Sequence, residues 1–172
     1  MDILKTATDW AKAEVFSTAI FILAGIVFVT ICISFWQFGK TDLAKAYIIP
    51  TLVAGILLLS LGLGLMFTNI SRISAFESHY KEDVTAFIAS EANRVDSTLN
   101  EYKVVFRVVP LLVVLAGFML VFLTTPTWRA IGVTTIAMLM FIAFIDGLAY
   151  ARMEVYKEKI VYAEKGIDKA NN

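Results

Sequence analysis

The sequence predicts an all-α polytopic membrane protein: four transmembrane helices as two hairpins, with helical cytoplasmic extensions of spans two, three and four. Three observations carry this expectation. Hydrophobic residues make up 59% of the 172 and charged residues 17%, whereas a soluble domain averages about 45–50% apolar and about 25% charged. Four stretches are free, or nearly free, of ionisable residues over the ~20 residues that a bilayer crossing requires. No glycine or proline interrupts Leu65 to Val109, so the segment joining spans two and three is expected to stay helical. One membrane domain covering 1–172 accounts for the whole chain.

The first uncharged run fills 15–39, between Glu14 and Lys40. Its apolar core is too long for a cleavable signal peptide, and no A-x-A site closes it, so it reads as a true span. The second run fills 46–71. Thr41 and Asp42 stand where a helix N-cap belongs, and Pro50 is expected either to kink the second helix or to mark its deeper start. The third run fills 108–128 and the fourth 130–151, the latter broken only by Asp146. Pro126 and Thr127 make the turn between them, with Thr127 the expected N-cap. Trp10, Trp36 and Trp128 lie at span ends, as interfacial anchors do.

Basic residues set the expected orientation. Lys5 and Lys12 precede span one; Arg72, Lys81, Arg94, Lys103 and Arg107 lie between spans two and three; Arg152, Lys157, Lys159, Lys165 and Lys169 follow span four. Only Lys40, Lys45 and Arg129 fall on the other side. Basic residues are retained inside, so both termini and the middle segment are expected in the cytoplasm, in a plasma or bacterial inner membrane, with two short turns outside.

The cytoplasmic parts, 72–107 and 152–172, carry helical signals. Ser74–Glu77 and Thr98–Glu101 match capping boxes, and the weak helix formers at Ser90 to Asn93 predict a break there. Ile88, Ala92, Val95, Leu99, Tyr102 and Phe106 step by four and three, a heptad seam running into span three. Ile145, Ala149, Met153, Tyr156, Ile160, Ala163 and Ile167 form a second seam out of span four, with Gly166 expected to fray or end that helix. Such seams are expected to pack on each other, in an oligomer, or on a partner.

Small residues recur at lipid depth. Ser60 and Gly64, extended by Thr68, match Ala143 and Gly147, extended by Ala151. This small-xxx-small spacing lets backbones approach within the bundle or between subunits. Leu23-Ala24-Gly25 and Leu115-Ala116-Gly117 add a weak internal repeat between the hairpins.

Several function classes are excluded at this level. Zero net charge gives no basic field for nucleic acid. One cysteine, Cys32, and one histidine, His79, leave no disulfide pair and no metal-ligand spacing. Four-span disulfide oxidases and tetraspanin- or claudin-like proteins need cysteine pairs in their outer loops. "LGLGLMF" lacks the Lys-Ser/Thr of a phosphate loop, and no nucleophile elbow or H-E-x-x-H pattern occurs. The expectation is a protein that is not an enzyme and carries no cofactor. His79, among charged neighbours, reads as a solvated surface residue.

Asp146 is the acid within a span. Six residues separate it from Arg152, about 9 Å at 1.5 Å per residue, a shallow position near the inner boundary. It reads as an intramembrane or gating contact, with Tyr150, Glu154 and Lys157 continuing a polar line on its helix face. Arg107, at the inner end of span three, is its expected charge partner, and Thr68 or Asn69 an expected polar neighbour.

Together these features predict a small assembly subunit that oligomerises or docks a membrane partner through its cytoplasmic helices, in contact with the lipid bilayer. Two alternatives follow. One is an oligomeric channel or pore-forming effector, with copies of Asp146 and Tyr150 around a cation-preferring inner mouth. The other is an immunity protein against a membrane-attacking toxin, because size, cytoplasmic ends and short outer turns resemble four-span colicin-type immunity proteins in topology. Stator-type proton channels share the span number, but their small, Thr-lined third and fourth spans are not reproduced here.

Overall fold

The computed structural model describes residues 2–171, with side chains described to Gly166. Five helices follow one another: α1 Ile3–Phe38, α2 Asp42–Ala46, α3 Ile48–Glu82, α4 Val84–Phe122 and α5 Pro126–Asn171. No strand occurs among the described residues. Four helices are long and apolar enough to cross a membrane. The 36 residues of α1 rise about 54 Å, well beyond the ~30 Å hydrocarbon layer. Each long helix therefore has a stretch whose apolar side chains need protein, rather than lipid, to cover them.

That cover is mutual. One core cluster gathers the start of α1 (Ile3, Ala7, Trp10, Ala11), the end of α3 (Phe76), the start of α4 (Phe87, Ile88, Val95, Leu99) and the end of α5 (Met153, Tyr156, Ile160). We call this the polar end of the bundle. Most of both heptad seams is consumed here. Val95 and Ile160 are fully buried, and Ile88, Leu99, Met153 and Tyr156 nearly so, while Ala92, Tyr102 and Ala163 pack at the edge. Ile167 lies outside the residues with described side chains.

Along the apolar length, α1 lies against α3 and α4 against α5. Backbones nearly touch in the first pair. A Cβ added at Gly25 would meet the Leu59 nitrogen at 2.9 Å, and one at Gly62 the Ile22 nitrogen at 2.9 Å. A Cβ added at Gly55 would meet the Gly25 carbonyl at 3.0 Å. In the second pair, Gly132 sits over Leu120 and the Ala116 carbonyl. A small second core, Phe21, Ala24, Leu58 and Ile145, ties α1 and α3 to α5. At the turn end a cleft of about 580 Å³ opens between α3 and α5, with Val53, Thr134 and Met138 in its walls.

Several boundaries differ from the sequence expectation. The break between spans two and three falls at Asp83, not at Ser90–Asn93. Asp83 is extended, and its carboxylate accepts from the Thr85 and Ala86 nitrogens at 2.8 and 2.9 Å. Tertiary packing of Phe87, Ile88, Glu91 and Val95 keeps the weaker formers helical. Ser74 and Thr98 cap nothing: their hydroxyls donate back to the carbonyls of Ile70 and Arg94 in mid-helix. Thr41 does cap α2, accepting from the Ala44 nitrogen, and Pro50 lies in the first turn of α3, where its missing N–H costs little.

Helix α4 ends at Phe122 and α5 starts at Pro126, so Thr127 lies inside the helix and not at its N-cap. Proline fits the first helical position, where it forfeits no hydrogen bond. Gly166 does not end α5, which continues to Asn171. Of the three tryptophans, Trp10 packs into the core at 7% exposure, whereas Trp36 and Trp128 are 72% and 43% exposed.

Candidate functional site

Charge is buried where the polar end meets the apolar length. On α4, Glu91 and Arg94 are one turn apart on the inner side of the helix. The Arg94 guanidinium donates to both Glu91 carboxylate oxygens, at 3.0 and 2.6 Å. Tyr156 of α5 donates its hydroxyl to Glu91 Oε2 at 2.6 Å. Trp10 of α1 stacks on Tyr156 with ring centres 5.1 Å apart, and the Arg94 guanidinium lies 4.2 Å from the Trp10 ring centre. One acid, one base and two aromatics from three helices thus form a single unit, which helps fix the axial register of α1, α4 and α5. Burial works against the Arg94 charge, but the Glu91 bonds outweigh it and hold the pKa above the ordinary arginine value. Burial, and then the Glu91 charge, push the Tyr156 hydroxyl up.

A second pair ties α1 to α5. Arg152 donates to Glu14 Oε1 at 3.2 and 3.1 Å and to the Ser17 hydroxyl at 2.6 Å. Glu14 is 7% exposed. Its burial raises its pKa despite the neighbouring Arg152. On α3, Arg72 donates to Asn69 Oδ1 at 3.0 Å, and Asn69 donates to the Leu65 carbonyl. Burial, then repulsion from Arg94, lowers the Arg72 pKa.

These groups surround a cavity of about 280 Å³ between the two helix pairs, lined by Trp10, Glu14, Arg72, Arg94, Glu101 and Asp146 among others. Asp146 is half-buried and faces this internal space. Its expected partner is absent: Arg107 is exposed, and no ion pair joins the two among the described residues. The seam places Phe106 inward, and the next residue is turned about 100° away on a 3.6-residue helix. The polar line on α5 also divides. Tyr150 packs edge-on against Tyr102 and Phe106 and donates its hydroxyl to Glu154 at 2.7 Å on the surface. Lys157 pairs with Asp96 at 2.6 Å. Of the expected polar neighbours, Asn69 shares the cavity with Asp146, while Thr68 is exposed and bonds its own helix. His79 is exposed.

The small-residue positions do not pack within the chain. Nothing lies within 4 Å of a Cβ added at Gly64, Gly117 or Gly147, and Ser60, Thr68 and Ala151 are exposed, with Ala143 intermediate. Gly25 and Gly117, equivalent in the sequence repeat, therefore have opposite environments.

Sequence reasoning missed Trp10, Glu14, Glu91, Arg94 and Arg152 as a buried set. A signal for α1 was present. Ile3, Ala7, Trp10, Glu14, Ser17, Phe21 and Ala24 step 4, 3, 4, 3, 4, 3, a seam with a carboxylate in it. Read as the edge of an uncharged run, Glu14 looked like a boundary. No cluster of metal-ligating residues occurs among the described residues. No protein-family model, curated protein or solved structure matches this chain.

Proposed function

We infer that the chain is an assembly subunit of a membrane, crossing it four times as two hairpins with both termini and the middle segment in the cytoplasm. Its role is structural and not enzymatic: it oligomerises through exposed faces at lipid depth. One observation carries this reading. Gly25, Gly55, Gly62 and Gly132 are closely covered inside the chain, whereas Gly64, Gly117 and Gly147 have nothing near them. In lipid, helix association depends on close packing at small residues rather than on a hydrophobic driving force, and uncovered glycines leave room for a second backbone. The heptad seams, in contrast, are filled by their own chain, so this reading rests on the lipid-depth faces. The channel alternative draws less support, since Asp146 faces a cavity within one chain instead of an outer face.

Cysteine crosslinking in native membranes tests the reading. With Cys32 replaced by serine, Gly64→Cys and Gly147→Cys are expected to give oxidant-dependent crosslinked species, while Val95→Cys, in the filled core, gives none. Absence of crosslinks at 64, 117 and 147 alike would remove the support for assembly through these faces.

A further inference from the structure

The cleft of about 580 Å³ at the turn end has two helical walls. One is a face of α2 and α3 that runs from Lys45 through Val53 to Leu57; the other is a face of α5 from Thr127 to Met138. At 1.5 Å per residue these walls are about 18 and about 17 Å long. The cleft then closes, where Met138 packs on the small core of Phe21, Ala24, Leu58 and Ile145. The inference rests on the membrane crossing proposed above, which puts the turn end outside and the closed end near the bilayer centre. Half of a bilayer of ~40–45 Å is about 20–22 Å, headgroups included. A spanning helix from a second copy would have to continue past the closed end to cross the ~30 Å core, whereas a lipid chain ends there.

Two hydroxyls in the cleft wall lack a partner. Elsewhere along the apolar length, Thr30, Thr51 and Thr68 each donate to a carbonyl one turn back. The side chains of Thr134 and Thr135 line the cleft and bond to nothing among the described residues. Thr134 is 5% exposed, yet its hydroxyl is not sealed off, so an occupant of the cleft can reach it. A hydrocarbon chain offers no acceptor, and an unmet polar group in lipid is unfavourable. Thr134 lies five residues inward of the exposed Arg129, about 7.5 Å along the helix. The interfacial layer of a bilayer is about 5–7.5 Å thick on each side, and the ester carbonyls of a glycerolipid lie at its inner edge. At the mouth, Asp42 and Lys45 are unpaired among the described residues. Their charges balance, so the mouth has no net charge with which to select a headgroup.

We propose that this cleft seats one glycerophospholipid of the outer leaflet, an ester carbonyl accepting from the Thr134 hydroxyl and one acyl chain lying along Val53, Leu57 and Met138. The hydroxyl fixes the depth of the lipid, and the apolar walls hold its chain.

The test releases the full chain into mild detergent from nanodiscs that contain equal amounts of a diester phosphatidylcholine and its diether analogue. Native mass spectrometry counts the lipid retained per chain. The expected result is one lipid per chain, with the diester favoured about fivefold, the scale of one hydrogen bond. Thr134→Val, close to the parent in shape, keeps the lipid and loses the preference. Val53→Trp fills the cleft and lowers retention at least fivefold. The proposal is overturned if the parent retains no more lipid than Val53→Trp, if it holds diester and diether equally, or if the preference survives Thr134→Val. It is also overturned if Val53→Cys, with Cys32 replaced by serine, crosslinks between copies, because a second chain then occupies the cleft. Lipid per chain and subunit number are separate readings. A monomer that carries lipid contradicts only the assembly role, and an oligomer without lipid contradicts only this site.

Discussion

At the polar end, Val95, Met153 and Ile160 are sealed among all four long helices. Along the apolar length, α1 presses on α3 and α4 on α5, large side chains such as Phe67, Leu111, Val121 and Phe144 face outward, and a cleft of about 580 Å³ separates α3 from α5. The two regions solve different problems. Where water competes, burying apolar seams is strongly favourable at about 25 cal/mol per Å², and ion pairs can be enclosed if every partner is supplied. Where lipid is the solvent, an exposed leucine or phenylalanine loses nothing, so helices are held by close van der Waals packing, tightest at the glycines, and by polar contacts. The polar end therefore sets the register of the bundle, and the apolar length leaves surface uncommitted.

The contrast can be broken most severely at the buried ion pair. Glu91→Ala leaves the Arg94 guanidinium enclosed without its carboxylate, and is expected to destabilise the protein by about 3–5 kcal/mol. The double variant Glu91→Leu with Arg94→Leu recovers most of that loss, because no uncompensated charge remains. Equilibrium unfolding in mixed micelles measures both. Ile160→Ala, at a fully buried seam position, is expected to cost about 2–5 kcal/mol by the same measurement. In the apolar length, Gly55→Ala places a methyl 3.0 Å from the Gly25 carbonyl and 3.1 Å from the Val29 nitrogen. Separating those backbones is expected to cost about 1–3 kcal/mol, whereas Gly64→Ala, with open space around it, leaves the stability of the single chain unchanged.

The smallest expected effect is one of pH. Burial raises the folded-state pKa of Glu14 above its ordinary value of 4.5, even with Arg152 alongside and Arg94 and Arg72 nearby. Between the ordinary and the raised value, the folded chain holds a proton that the unfolded chain releases, so this group's contribution to stability falls as pH rises through that window. Unfolding midpoints from pH 4 upward are expected to show this decline in the parent, and a flatter profile in Glu14→Gln over the same range.

Much of the architecture was legible because its signals are local and repeated. Uncharged runs marked four long helices, and the 4-3 seams in α4 and α5 named Ile88, Val95, Leu99, Met153, Tyr156 and Ile160, all of them buried. The break at Asp83 was missed because a single well-placed carboxylate cap outweighed a stretch of poor helix formers that packing could hold. The candidate site was less legible. Asp146 was singled out, but its surroundings depend on which helices meet across the bundle, and Glu14–Arg152 spans 138 residues of sequence. Composition rules also steer buried charge to the surface by default. A glutamate in an apolar seam, as at Glu14, is the pattern that should have prompted a search for a distant arginine.

The subunit number in lipid nanodiscs, compared between the parent chain and Gly64→Leu with Gly147→Leu, tests the central claim most directly. The account predicts a defined oligomer for the parent. It predicts a monomer of undiminished stability for the double variant, since those glycines touch nothing within their own chain. A parent that is monomeric at every protein-to-lipid ratio, or an oligomer that survives both substitutions intact, would contradict it.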